Sequence, residues 1–293
     1  MENEDGIFAN LMFKLVRKRI AGPTIATALK RAKEINAVGM GATITFLNDH
    51  VDKQAKAKYN ANAYRQLLHQ ISRLNIRADA SIRISQLGYN IDRDMAVKLL
   101  DGLLSTAKRY GVTVWCEYEP NMGADCIPDL GGIESIDALG VEVPYEMFHR
   151  LRDSNRILKS AHLIKLVLHQ RLDGERSDRL HMHRGSQKSA VDAESGAIVD
   201  SLRAGKRIIL HAQDENELGR IASKLSRSNY GKNLILEVPF GYSKHNIKSL
   251  LGKRLVVSVY TPYGRDWIPY AVNRLTEGKI HRLASIMPGG KRR

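Results

Sequence analysis

The chain has 293 residues, of which 43% are hydrophobic and 26% are charged, so its composition is that of a globular protein and excludes wholesale disorder. Its 46 lysines and arginines against 31 acidic residues give a formal net charge of +15, which suits an anionic partner, but the bases are scattered over predicted helices, so solvated helix faces and a loose tail are the favoured explanation. Two cysteines are too few for a disulfide framework, no apolar run reaches the length of a membrane span, and the acidic start is unlike a signal peptide. We therefore expect a cytoplasmic protein.

The first predicted element is an amphipathic helix at residues 6–20. Its apolar residues recur at spacings of three and four, and its basic residues gather toward the C-terminal end. Such a helix can dock on an anionic bilayer or pack across the mouth of the domain, and both interpretations stay open. Gly22 and Pro23 end it, and Thr24 is the predicted N-cap of a second helix that extends to Ala37.

Short β-rich apolar runs then alternate with stretches long enough for helices. The predicted strands are Gly41–Leu47, Ala80–Ile84, Val112–Cys116, Leu139–Val143, Leu163–Leu168, Arg207–His211, Leu234–Val238 and Leu255–Tyr260. Amphipathic helices are predicted at Tyr64–Leu74, Asp92–Tyr110 and Asp214–Ser228, with Gly111, Gly205 and Gly231 as helix stops.

Eight such units predict an α/β fold, a closed (β/α)8 TIM-like barrel with an N-terminal helical extension. No Gly-x-Gly-x-x-Gly turn follows the first strand, which argues against an open dinucleotide-binding sheet. We divide the chain into a helical arm (1–36), the barrel (37–277) and a basic C-terminal tail (278–293).

Functional groups of such barrels lie where the strands end. The residues at those positions are Asn48, Asp49, His50, Arg83, Ser85, Gln86, Glu117, Glu119, Glu142, Lys165, His211, Glu237, Tyr260 and Tyr263. Because an unpaired buried charge is costly, we expect Arg83 and Glu117 to pair across adjacent strands. Such pairs either plug the barrel mouth or build a site, and their accumulation at one end favours a site.

The segment VSVYTPYGRDWIPYAVNRLTE (257–277) is the most informative. After a Pro-Gly turn, a predicted helix places Trp267, Tyr270 and Arg274 on one face. Two aromatic rings and a guanidinium there could frame a planar cofactor and hold a carboxylate. The alternative is an ordinary helix packed by its aromatic residues, with the arginine reaching solvent.

This segment resembles the C-terminal signature of the proline dehydrogenase family. The matching residues are Tyr260, Pro262, Tyr263, Gly264, Asp266, Trp267, Tyr270, Arg274, Leu275 and Glu277. The similarity continues upstream and spans residues 24–277 in order. It includes Leu47–Val51, Ser81–Gly88, Glu117–Glu119, His211 and Glu237–Gly241.

The resemblance implies a flavoenzyme that holds FAD, takes a hydride from proline to give pyrroline-5-carboxylate and passes electrons to a quinone, with possible contact to the inner face of the membrane. It implies that Tyr263 and Tyr270 shape the proline pocket and that Arg274 binds the carboxylate. The catalytic set that it implies is Arg83, Glu117, Tyr263, Tyr270 and Arg274, and the cofactor-binding set is Lys165, His211, Glu237 and Glu277.

The chain departs from the family pattern in several places, among them Arg83 for a lysine and Glu117 for an aspartate. Asn273 replaces one of two paired arginines, Pro144 replaces a glutamine, and the fifth strand lacks the family's Lys-Gly turn. A second hypothesis therefore stays open, in which the barrel has lost catalysis and binds an anionic membrane surface or a nucleic acid. Nucleic acid is the less favoured of the two, since no nucleic-acid-binding motif is present. We assign no metal site, because His181 and His183 fall short of the ligands zinc needs.

Overall fold

The structure is a computed structural model of the chain. It describes residues 19–48, 51–119, 133–145, 147–148, 158–159, 161–168, 196, 198–212, 218, 231–242, 244–252, 255–267 and 270. The strands of this part are β1 (Gly41–Phe46), β2 (Ala78–Ile82), β3 (Val114–Cys116), β4 (Leu139–Pro144), β5 (Leu163–Leu168), β6 (Arg207–Ala212), β7 (Leu234–Pro239) and β8 (Val256–Tyr263). Its longer helices are α1 (Ile25–Ala37), α2 (Gln54–Arg73), α3 (Arg93–Tyr110) and α4 (Lys244–Gly252).

The eight strands close into a barrel in chain order, with every neighbouring pair parallel. The closure lies between β1 and β8, where Gly41 pairs with Ser258 and Phe46 with Tyr263. The predicted (β/α)8 barrel is therefore confirmed. Helices within the described ranges are all too short or too polar to cross a bilayer.

Helix ends follow the local chemistry of the sequence. Thr24 caps α1 through a reciprocal pair of contacts with Thr27, as predicted. Asp92 caps α3 by accepting a hydrogen bond from the Met95 backbone at 3.0 Å. Gly111 ends α3 in the left-handed region, at a φ of 65°, which glycine adopts without strain.

Two elements exceed their predicted length by more than one residue. Helix α2 begins at Gln54 and not at Tyr64, because its first turns bury small or polar residues such as Asn60, which leave no apolar periodicity to detect. Strand β8 extends to Tyr263 and not only to Tyr260.

Other predicted elements differ in register or fall elsewhere. Strand β2 ends at Ile82, since a 3₁₀ turn begins at Ile84. The predicted helices at 6–20 and 214–228 lie outside the described residues except at 19, 20 and 218. The ends of the arm and the tail also lie outside them, so the domain boundaries stay a prediction.

Asn60 on α2 fixes the mouth of the barrel near its closure. Its Nδ2 donates to the carbonyl oxygens of Asn48, at 3.2 Å, and Gln86, at 2.9 Å. Its Oδ1 accepts a hydrogen bond from Asn48 Nδ2 at 2.7 Å. The chain segments that follow β1 and β2 are thus held together by one fully buried amide.

Trp115 on β3 fills the lumen below the mouth. The indole is fully buried, and its Nε1 donates to Asp79 Oδ2 at 3.1 Å. The ring lies directly against Gly140 of β4, where any side chain would overlap it. A glycine on β4 therefore makes room for the tryptophan that closes the lumen from below.

We expect Gly140→Ala to lower the free energy of unfolding by about 1–3 kcal/mol, because the added methyl group would overlap the Trp115 ring. Urea denaturation measures this loss. Gly102→Ala is the matched control, since its Cβ would have Arg65 Nη2 as its nearest neighbour, at 3.6 Å. Alanine is favoured over glycine inside a helix by about 1 kcal/mol, so the control should not destabilise. Equal losses in both variants would contradict the packing argument.

Candidate active site

A cluster of ionisable side chains occupies the lumen just above Trp115. Alternate residues of a barrel strand point inward, so neighbouring strands deliver their charged residues at similar heights. Glu142 of β4 is the register partner of Lys165 on β5, and His211 of β6 is the register partner of Glu237 on β7. The sequence placed all four at the strand ends, and the structure brings them together.

Lys165 lies at the centre of this cluster and is fully buried. Its Nζ is 3.2 Å from Glu237 Oε2 and 3.4 Å from Glu142 Oε2. It also lies 5.5 Å from the ring centres of Trp115 and Tyr260. Burial alone would lower the pKa of Lys165, but the surrounding carboxylates raise it above its usual value, so the ammonium stays charged.

Glu237 is the deepest carboxylate of the cluster. His211 Nδ1 lies 2.9 Å from the same Oε2 that faces Lys165. Burial would raise the pKa of Glu237, yet Lys165 and His211 together lower it to about 2. Glu237 is therefore ionised at neutral pH.

A second group of contacts joins β2, β3 and β8. Arg83 Nε lies 3.1 Å from Glu117 Oε2, which confirms the predicted ion pair. Tyr260 donates its hydroxyl to the other oxygen, Oε1, at 2.7 Å. Burial acts to raise the pKa of Glu117, but Arg83, Lys165 and the Tyr260 hydrogen bond hold it below the usual range. Glu117 is thus a fixed anion.

Glu142 differs from the other two lumen glutamates because its side chain is 14% exposed. Its Oε1 accepts a hydrogen bond from the Tyr118 backbone at 3.3 Å. Burial raises the pKa of Glu142 to about 7, with Lys165 opposing the rise and Glu117 and Glu237 adding to it. This carboxyl group can therefore exchange a proton near neutral pH.

The two tyrosines at the end of β8 lie on opposite sides of the barrel wall. Tyr260 reaches the lumen, whereas Tyr263 stacks on Phe46 with ring centres 5.2 Å apart. Tyr263 also lines a groove of about 740 Å³ that α1 and α2 border. Residues three apart on a strand face opposite ways, so the structure does not bring Tyr263 to the lumen cluster.

Tyr270 is buried beside Tyr260 and Leu47, with Trp267 packed against them. This places one of the predicted pocket residues next to the lumen cluster. Arg274 and Glu277 lie outside the described residues, so their predicted roles stay predictions.

The resemblance assigns no role to Tyr260 or Glu142, although both stand at predicted strand ends. Side chains along β8 alternate between the two faces of the barrel wall, so Tyr260 faces the same way as Ser258, two residues earlier. Ser258 lies 3.4 Å from the buried Thr43. This alternation is the signal that could have identified Tyr260. The signal that could have identified Glu142 as a site residue is the unusual position of a carboxylate inside a predicted strand.

Comparison with known sequences relates the chain to proline dehydrogenases. No protein-family profile matches it. Proline dehydrogenase 1 of Bacillus subtilis is 21% identical over 276 residues, which are 89% of this chain and 86% of the relative. The proline dehydrogenase of Deinococcus radiodurans is 22% identical over 275 residues, which are 91% of this chain and 87% of the relative.

Solved structures show the same barrel. Proline utilization A (PutA) from Bdellovibrio bacteriovorus superposes with a TM-score of 0.68 at 14% identity, over 96% of this chain and 34% of that one. PutA from Bradyrhizobium japonicum gives a TM-score of 0.62 at 18% identity, over 91% of this chain and 31% of that one. The chain thus spans about a third of these larger proteins, and at such identities they support the fold alone.

The lumen cluster predicts a specific response to loss of its central charge. We expect Lys165→Met to lower the free energy of unfolding by about 3–5 kcal/mol, because Glu237 would lose its buried ammonium partner. Adding Glu237→Gln to that variant should restore part of the loss, since it removes the uncompensated charge. Urea denaturation at neutral pH measures both.

Lys108→Met is the control for this cycle. Lys108 pairs with Asp137 at 3.0 Å, but both side chains are more than half exposed. Exposed ion pairs contribute at most about 1 kcal/mol, so this variant should stay close to the parent. A Lys165→Met variant as stable as Lys108→Met would show that the buried contacts are not stabilising.

Proposed function

We propose that the chain, which is 21–22% identical to two proline dehydrogenases, is an FAD-dependent oxidoreductase that removes a hydride from proline or a related amino or imino acid. Proline would give pyrroline-5-carboxylate, and the electrons would pass to a quinone. The observation that carries the proposal is the hydrogen-bonded set Arg83, Glu117 and Tyr260 at the barrel mouth, beside Tyr270.

The residues at the centre of the lumen fit a polar ring such as a flavin. Within the described residues, neither Lys165 Nζ nor Glu237 Oε1 makes a contact of hydrogen-bond geometry, although both atoms are fully buried. Buried polar groups normally have partners, so these two atoms favour an additional polar group nearby. Lys165 also brings a permanent positive charge, which suits a ring that gains negative charge on reduction.

Each residue then has a defined task. FAD, when bound, supplies the acceptor for the hydride. Lys165, His211 and Glu237 would hold the cofactor side of the site. Glu117 would fix the orientations of Arg83 and Tyr260, while Tyr270 would close the pocket against water. Arg274 would bind the substrate carboxylate, and Glu277 would help to seat the cofactor.

Electron transfer to a quinone places the acceptor in a membrane. The predicted amphipathic helix at 6–20 and the net charge of +15 support peripheral contact with an anionic bilayer. The substrate side carries one guanidinium where the family has two, so carboxylate binding should be weak. A charge-assisted hydrogen bond contributes about 1.5–3 kcal/mol, which corresponds to roughly ten- to a hundredfold in affinity.

We expect the purified chain to bind FAD. We also expect added proline to bleach the visible absorption of the bound flavin in the absence of oxygen. Arg274→Ala should still bind FAD but need roughly ten- to a hundredfold more proline for half-maximal bleaching. Arg31→Ala is the matched control, because Arg31 lies exposed on α1 and pairs only with Glu34 in the described contacts. It should behave as the parent.

Two outcomes would contradict this proposal. A colourless protein that does not bind added FAD would contradict the FAD-dependent reaction. Salt-dependent binding to anionic vesicles would then support the non-catalytic alternative. Equal behaviour of the Arg274→Ala and Arg31→Ala variants would remove the carboxylate-binding role alone.

A comparison of Tyr260→Phe with Tyr263→Phe tests which tyrosine serves the pocket. Tyr260→Phe deletes the hydroxyl that holds Glu117, so we expect flavin reduction by proline to slow by roughly tenfold or more. Tyr263→Phe deletes a hydroxyl that lies on the outer side of the wall and has no hydrogen-bond partner in the described part of the chain, so the loss should be smaller. The reverse order would favour the role that the resemblance gives to Tyr263. Stopped-flow absorbance measures both rates.

A further inference from the structure

Resting on the proposed function, we propose that Glu142 is the base that accepts the proton from the substrate's ammonium nitrogen. Glu142 lies on β4 at the height of Lys165 and is partly exposed in the lumen. One oxygen faces the Tyr118 backbone N–H at 3.3 Å. The other lies 3.4 Å from Lys165 Nζ, outside hydrogen-bond geometry, and as far as the described residues go it keeps capacity for a new partner.

The neighbouring carboxylates of Glu117 and Glu119 already have partners on both of their oxygens. Both oxygens of Glu117 are taken, one by Arg83 and one by Tyr260. Both oxygens of Glu119 accept hydrogen bonds from Ser85, one from its backbone and one from its hydroxyl.

The two deeper carboxylates are also unsuitable. Asp79 accepts from the Thr113 backbone and from the Trp115 indole. Glu237 is fully buried and ion-paired with Lys165 and His211. Among the described lumen carboxylates, Glu142 is therefore the one placed to take a proton from a bound molecule.

The charges around Glu142 set the pH at which it works. Lys165 faces it from β5, Glu117 from β3 and Glu237 from β7. Burial and the two other carboxylates raise its pKa, Lys165 opposes them, and the result is about 7. The base is the ionised form, so flavin reduction should rise as the pH rises through about 7 and fall below it.

The proton and the hydride leave the substrate separately. The ammonium N–H bond breaks, its electron pair stays on nitrogen, and the proton forms an O–H bond on Glu142. The nitrogen lone pair then forms the C=N bond as the adjacent carbon loses its hydrogen with both electrons to FAD, the oxidant of the proposed function. The charge balances, because the neutral amine becomes an iminium cation and FAD takes up one hydride.

The test compares Glu142→Gln with Glu119→Gln across the pH range. A positioned base contributes roughly 10²–10⁴-fold, so Glu142→Gln should slow flavin reduction at least about a hundredfold and abolish the rise through neutral pH. Glu119→Gln removes a neighbouring carboxylate bonded only to Ser85 in the described contacts, and it should keep the rise. Glu142→Asp should restore part of the rate and the pH dependence, which a purely structural role would not predict.

Carboxyl NMR of the chain labelled on glutamate Cδ gives a readout without turnover. One signal should titrate between about pH 6 and about pH 8, far from the usual glutamate pKa, and vanish in Glu142→Gln. If that variant does not fold, the spectrum of the parent decides, because absence of any such signal overturns the proposal.

The two proposals can fail separately. A parent protein that binds FAD but is not reduced by proline or related imino acids at any pH overturns the proposed function. A parent that is reduced by proline, with a pH dependence that survives in Glu142→Gln, overturns the role of Glu142 alone.

Discussion

The arrangement of the lumen depends on one buried positive charge. Lys165 has no exposed surface, so its ammonium is tolerable only because Glu237 and Glu142 face it. The cluster also contacts the ion pair of Arg83 and Glu117. Glu237 shares the charge of Lys165 with Glu142 and is the deeper of the two. Burial raises the pKa of Glu142, Glu117 and Glu237 add to the rise, and Lys165 opposes it, so this carboxyl group holds its proton up to near neutral pH.

The wall below the cluster explains why these charges can stay unhydrated. Trp115 closes the lumen beneath Lys165, and Gly140 leaves the space that the indole needs. The ring offers its face to the ammonium at 5.5 Å while its N–H is satisfied by Asp79. A closed floor raises the strength of every electrostatic interaction above it.

Two of the departures from the family pattern, Pro144 and the strand-five segment, fall at the ends of β4 and β5. At 21–22% identity to proline dehydrogenases the barrel and the order of its strand-end motifs persist. In this chain Glu142 places a carboxylate two residues before Pro144, at the height of Lys165. The lysine and the two glutamates form one interacting group, so a change at any of them alters the pKa values of the others.

The sequence predicted the features that follow from hydrophobic periodicity and from the pairing of adjacent strands. It did not predict contacts that form only when the barrel closes. Eight apolar runs separated by helix caps were sufficient to predict the barrel. Oppositely charged residues at the ends of two adjacent strands were sufficient to predict the ion pair of Arg83 and Glu117. The contact of Lys165 with Glu237 joins strands that are not adjacent, so it exists only once the barrel has closed. The sequence also did not show which of Tyr260 and Tyr263 faces the lumen, because β8 extends further than predicted. The inward face of a strand is known only from its register with both neighbouring strands.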